Sequence, residues 1–163
     1  MPWVRLHALK DYVDMITTLE RAPDGVVATV NVTPTLVAQI EELCDNPELD
    51  TLLSLVRRPP ASLSGSERGH VIRECFSVNH DTMLAPWPRY RELHIQHQAG
   101  RPLNDQDVLD LSVWFHLAWS GEDLRATELV RGLLRKGRGY TLAERDQLLD
   151  LQLAHLAEVI PAH

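Results

Sequence analysis

Leu6, Leu9, Val13 and Ile16 recur at helical spacing, with Tyr12 and Leu19 beside them, which predicts an amphipathic helix from about His7 to Arg21. Ala22-Pro23-Asp24-Gly25 breaks it. The next stretch, Val26-Val27-Ala28-Thr29-Val30-Asn31-Val32, is β-branched and nearly continuous in its apolar character. That pattern predicts a strand buried on both faces, the one clear strand of the chain. Thr33 is placed as an N-cap and Pro34 suits the first helical position, with Val32 and Val37 set for a hydrophobic staple. Leu36, Val37, Ile40, Leu43 and Cys44 form the expected buried stripe. Asn46-Pro47 closes that helix. A short helix through Leu49, Leu52, Leu53 and Val56 follows, then a turn at Arg57-Arg58-Pro59-Pro60.

From there the pattern is helix after helix. Ser64 and Glu67 make a capping box ahead of Val71, Ile72, Cys75 and Phe76. Pro86 and Pro88 interrupt a segment with Trp87 and Tyr90, and a helix resumes through Leu93. Asn104 caps a helix whose first turn holds Asp105 and Asp107, favourable at the positive end of the macrodipole. Its stripe is Val108, Leu111, Phe115 and Ala118, ending at Trp119. Ser120–Asp123 separates it from a helix over Leu124–Leu134. Gly137 and Gly139 make a turn. Thr141 and Glu144 form another capping box, with Leu149, Leu153, Leu156 and Ile160 on one face behind it, and Pro161 stops the helix.

A strand buried on both faces needs neighbours, because unpaired buried backbone groups are costly. The chain offers no second strand of comparable quality. Helix, strand, helix and then a long helical stretch is the expected look of a slice from an α/β barrel or open sheet. The domain reading is a single partial domain over 1–163. Residues 1–60 are the barrel segment and 61–163 the helical insertion. The opening Met1-Pro2-Trp3-Val4-Arg5 runs straight into a helix, which reads as the interior of a larger unit.

Composition narrows the function classes. The net charge is -7 with 44% hydrophobic residues over 163 positions, which disfavours a nucleic-acid partner. No apolar run approaches the ~20 residues that span a bilayer, and no basic n-region with an apolar h-region opens the chain. Cys44 and Cys75 lie far apart and in no metal spacing, and are expected as reduced thiols of a cytoplasmic protein.

Candidate chemistry is sparse. His94 and His97, among eight histidines, share a helix face as metal ligands can, but no third ligand is specified and they read as polar helix surface. Asn79-His80-Asp81 can hold a base and its orienting carboxylate. With no nucleophile elbow, the plainer reading is a loop with Asp81 as helix cap. The carboxylates Asp14, Glu20, Glu41, Glu42, Asp110, Glu128 and Glu144 read as polar helix faces, and none follows a strand at its C-terminal end. Of the four tryptophans Trp3, Trp87, Trp114 and Trp119, the last lies on a core stripe and reads as packing, whereas Trp3 precedes its helix and can line a cleft. Gly137-Arg138-Gly139 is no phosphate loop.

A resemblance ties these features together. Pro2-Trp3-Val4-Arg5-Leu6-His7-Ala8-Leu9-Lys10-Asp11-Tyr12 resembles the segment after the first barrel strand of glycoside hydrolase family 57, the α-amylase and 4-α-glucanotransferase-like enzymes. Asn31-Val32-Thr33-Pro34-Thr35-Leu36 resembles the Asn-Leu-Thr-Pro that ends its second strand. Phe76-Ser77-Val78-Asn79 and Pro88-Arg89-Tyr90 resemble its helical insertion. Val113–Trp119 resembles its Val-Trp-Phe-Asn-Leu-Ala-Trp, with His116 in place of the Asn. Lys136–Thr141 and Ile160-Pro161 resemble the tail of that region.

The resemblance implies an α/β fold, part of a seven-stranded β/α barrel, although this chain by itself is mostly helical with the strand at 26–32. It implies a retaining enzyme on α-glucans whose catalytic Glu and Asp lie outside this chain, so no catalytic residue is assigned. Trp3, His7 and Asn31 are the substrate-binding positions it carries over. No cofactor or metal is expected. The partners expected are an α-glucan or oligosaccharide and a complementary chain carrying the rest of the barrel, with no nucleic acid and no membrane. The other expectation is a stand-alone helical binding or regulatory module derived from that family, without catalysis.

Overall fold

A computed structural model of the chain describes residues 3–159, apart from the side chain of Val159. The described part is mostly helical. In order it contains α1 (Trp3–His7), a π-helical turn (Ala8–Tyr12), α2 (Val13–Glu20), α3 (Pro34–Asp45), α4 (Thr51–Arg57), α5 (Gly65–Phe76), a second π turn (His80–Leu84), α6 (Pro88–Gln98), α7 (Asp105–Ala118), α8 (Glu122–Ala126), α9 (Glu128–Lys136) and α10 (Leu142–Val159). Short 3-10 turns occupy Pro47–Leu49 and Pro60–Ser62. The expected helix stop at Pro161 lies outside the described residues.

Capping residues set many of these starts. Thr33 accepts from the Leu36 N–H ahead of Pro34 at the first helical position of α3. Ser64 with Glu67, and Asn104 with Asp107, form reciprocal capping boxes. Gly137 closes α9 with φ of 73°, the left-handed conformation that favours glycine. Two local readings are corrected. The expected helix over Leu124–Leu134 is two, α8 and α9, because the Thr127 hydroxyl accepts from the Val130 N–H and starts α9 afresh. In the second π turn it is Asn79, not Asp81, that caps, its Oδ1 accepting from the N–H groups of Asp81 and Thr82 at 3.1 Å each.

The larger correction concerns Val26–Val32. No strand forms among the described residues. The segment runs between α2 and α3 without helix or ladder pairing, and it is exposed. Val27 is 90% exposed, which excludes the two-sided burial that its composition predicts. β-propensity is a preference for a pleated, half-buried surface, and no neighbouring strand supplies one here.

The centre of the molecule is α7. The expected stripe of Val108, Leu111, Phe115 and Ala118 is buried, but so is every other residue from Asp107 to Ala118. α5, α6 and α10 surround it. The main core gathers Leu52, Val71, Tyr90, Phe115, Leu148 and their neighbours around this helix. A smaller core joins Ala8, Leu9, Ile40, Leu43, Leu124 and Leu156, which seats the first π turn and α3 on α8 and α10.

A helix buried all round must satisfy its polar side chains internally. Asp110, expected on a polar face, is instead fully buried. It accepts from Arg89 Nε at 3.0 Å, Gln106 Nε2 at 2.9 Å, and the N–H groups of Gly139 and Tyr140 at 3.2 and 3.1 Å. Asp107 accepts from Arg89 Nη2 at 2.7 Å and from the Asn104 N–H at 3.0 Å. Burial works against Asp107 ionising, but the Asn104 and Arg89 hydrogen bonds outweigh it and hold the carboxyl below its ordinary value.

Candidate functional site: an aromatic face on the first helix

α1 and the π turn that follows present Trp3, His7, Lys10, Asp11 and Tyr12. The turn is fixed from outside by a close backbone approach. Gly121, ahead of α8, donates its N–H to the Leu9 carbonyl at 3.3 Å, and the Glu122 N–H donates to Asp14 Oδ1 at 3.0 Å. A Cβ on Gly121 would lie 2.9 Å from Asp14 Oδ1 and 3.0 Å from the Leu9 oxygen, so only glycine allows this contact. π turns are over-represented at functional sites.

The turn brings aromatic rings together. His7 stands edge-on to Trp119 with ring centroids 5.2 Å apart, and Trp3 does so at 6.0 Å. His7 also lies 6.3 Å from Tyr12 in a stacked arrangement and 6.5 Å from Trp3. Lys10 Nζ sits 5.7 Å over the Trp119 ring. His7 Nδ1 is hydrogen-bonded to the Asp11 carboxylate, and both side chains are partly open to solvent. Trp119 is buried beneath, and its indole N–H has no acceptor among the described residues.

Below this face lies a polar foundation. Arg5 and Asp50 are both buried, and Arg5 Nε donates to Asp50 Oδ2 at 2.7 Å. Asp50 Oδ1 accepts from the Leu53 N–H at 3.0 Å, so one carboxylate anchors α1 and caps α4. Further in, Gln152 Nε2 donates to the His116 carbonyl at 2.9 Å and to Ser120 Oγ at 3.2 Å. Its Oε1 is therefore the acceptor facing His116 Nδ1 at 2.9 Å, which puts the His116 proton on Nδ1. Burial first, then the charge of Arg5, hold His116 well below the ordinary imidazole range, so it is neutral at neutral pH. His116 Nε2 and Arg5 Nη2 are both buried without a partner among the described residues.

Of the three positions singled out by resemblance, the structure sets Trp3 and His7 side by side. Asn31 lies elsewhere. It lines an open cleft of about 590 Å³ between α2 and the irregular segment before α3, with Asp14, Met15, Thr18, Leu19 and Ala28–Val30, and neither Trp3 nor His7 borders that cleft. Trp119, Tyr12 and Asp11 complete the aromatic face and were not among the sequence candidates. The i, i+4 spacing of His7 and Asp11 was the available signal. Trp119 gave none, since it reaches the face only through folding.

The other candidates fall apart from this face. His94 and His97 group with His80 around Phe76. Among the described residues no group of three or more His, Cys, Asp or Glu is arranged to hold a metal ion, and no helix is long and apolar enough to cross a membrane. Cys44 is half-buried, Cys75 is buried, and both are free thiols. Burial pushes the Cys75 thiol up, out of the nucleophilic range. No family model matches this chain, no curated protein matches it, and no solved structure matches it.

Proposed function

We propose that this chain is the N-terminal portion of a family 57-like glycoside hydrolase or transglycosidase acting on α-glucans, inactive by itself, and that Trp3 and His7 line its glucan cleft. The observation that carries the reading is the state of Val26–Val32. Seven consecutive uncharged residues, four of them valine, run exposed, with neither helix nor ladder partner among the described residues. Such a segment finds its burial in a parallel sheet, between strands that a complementary segment or chain supplies. In that assembly Val26–Val32 is a barrel strand and Asn31 stands near its end.

The aromatic face suits the sugar. Trp3 is 36% exposed, enough to offer ring surface to the apolar face of a pyranose. The His7–Asp11 pair beside it offers a donor and an acceptor to sugar hydroxyls. The chain holds no pair of carboxylates assigned to hydrolysis, so the activity expected of it alone is binding.

The test is titration of the chain with maltoheptaose, read by amide chemical shifts and by Trp fluorescence. The expected result is weak, saturable binding that perturbs residues 3–12 and no cleavage of the sugar. Trp3→Ala weakens it about 5–10-fold, the ~1–1.4 kcal/mol expected of a lost aromatic contact. Absence of any perturbation at residues 3–12 at saturating sugar overturns the reading. A second reading, a stand-alone helical glucan-binding module, is favoured by one observation: the main core closes around α7 without using any residue of 26–32. It predicts the same sugar binding and no complementary chain.

A further inference from the structure

We propose that His80, His94 and His97 form a proton-operated latch: when neutral, His94 and His97 pack on Phe76 and His80 packs on His94, which holds the His80–Leu84 π turn against α5 and α6, and when protonated the rings repel one another and release it. This latch is independent of the glucan reading.

Two imidazoles of α6 meet the Phe76 ring, and a third, from the π turn, meets one of them. His97 stacks on Phe76 at 5.2 Å with an interplanar angle of 19°, and His94 meets the same ring at 5.2 Å and 56°. His80, from the π turn, stands edge-on to His94 with centroids only 4.5 Å apart. His80 Nε2 lies 3.3 Å from the Phe76 carbonyl, where only its N–H tautomer or the imidazolium serves. Histidine is the side chain whose ordinary titration falls in the physiological range.

The neighbouring charges leave the cluster to itself. On α5, Glu74 lies 3.9 Å from His70, and Arg73 Nη1 lies over Gly69, one turn back. Asp81 of the π turn and Arg91 of α6 are exposed. None of these four acts on His94, whose charged neighbours are His80 and His97 alone. Burial, followed by the like charges of His80 and His97, holds His94 below the ordinary imidazole value. The open state therefore takes the proton more readily. Closure of the latch is fully favoured above about pH 6.5 and is lost as pH falls through the depressed His94 value.

What moves is defined by the packing. The π turn carries Met83 and Leu84 into the main core, and Ala85 N–H closes it on the His80 carbonyl at 2.7 Å. Releasing His80 loosens that hydrogen bond and exposes both side chains.

Amide hydrogen exchange on the full chain tests this, at about pH 7.5 and about pH 5.5, corrected for intrinsic rates. His116 is also buried neutral, so acid weakens the whole core, and the α7 amides serve as the internal reference. The expected result is that protection of residues 81–87 falls severalfold more than that of residues 109–117, because the open state binds the proton more tightly than the closed state. In His94→Gln the excess disappears. No excess in the wild type, or the same excess in His94→Gln, overturns the latch. If His94→Gln does not fold, imidazole titration of the wild type by NMR decides. A His94 midpoint below the ordinary value with a curve broader than one proton supports the latch, and a single-proton curve at about 6.5 overturns it.

Discussion

Asp50→Ala is expected to lower the unfolding free energy by about 4–6 kcal/mol, a large share of the stability of a domain this size. Two losses combine. Arg5 is left buried and charged, with its Nη2 already unpartnered, and removing one member of a buried pair costs about 3–5 kcal/mol. The Leu53 N–H loses its cap, worth about 1 kcal/mol. Asp50→Asn separates them. It keeps a capping oxygen and removes the charge, so its cost is the ion-pair part alone. Urea unfolding measures both, with an unchanged slope showing that the midpoint shift is stability. Equal costs for the two variants would remove the cap from the account. Costs under about 1.5 kcal/mol for both would show Arg5 finding water when Asp50 is gone. Because the same carboxylate fixes α1, Trp3 and His7 lose their positioning in both variants.

Asp110→Ala is the second large effect, about 3–5 kcal/mol with a fall in Tm of about 10 °C. Four donors converge on that carboxylate from three parts of the chain: Arg89 of α6, Gln106 of α7, and the Gly139 and Tyr140 backbone between α9 and α10. Removing it orphans two backbone N–H groups inside the core and unbalances Arg89, which keeps Asp107 and Glu92. Differential scanning calorimetry reads the change directly. Asp110→Asn is expected to recover part of it, since one amide oxygen still accepts. If Asp110→Ala unfolds with the wild-type Tm, the four hydrogen bonds do not hold the α9–α10 connection. Acid works the same way. The depressed Asp107 carboxyl contributes stability that is present above its ordinary value near 3.8 and is lost as pH falls through the folded value.

How far these features could be read beforehand depends on their range along the chain. Caps are local, so Thr33, Ser64, Asn104 and Thr141 gave helix starts that the structure contains. The break at Thr127 was equally local, but the apolar pattern ran across it and hid it. α7 shows the limit of periodicity. Its apolar stripe announced one buried face, while the burial of Asp107, Asp110 and His116 depends on partners 18 to 36 residues away. Val26–Val32 shows the opposite failure. Its composition is that of a strand, but a strand is made by its neighbours, and none is present among the described residues. At the candidate site, Trp3 and His7 were singled out by resemblance, and the helix expected from His7 in fact begins at Trp3, which sets the two side by side. Trp119 joins them across more than a hundred residues, through the contact of Gly121 with Leu9.

The exposed segment 26–32 is also where proteolysis is expected to cut the chain. Proteases nick exposed chain that lacks regular structure, and residues 26–32 lie at the surface with neither helix nor ladder. A single nick there leaves a 1–30 peptide and a helical remainder. Both stay joined, because Arg5 is held by Asp50 and Leu9 by Gly121, each on the other side of the cut. The protein is thus built so that its first two helices form a detachable yet non-covalently retained arm. Limited elastase digestion, giving two bands on a denaturing gel and one species in native chromatography, is the expected sign of it.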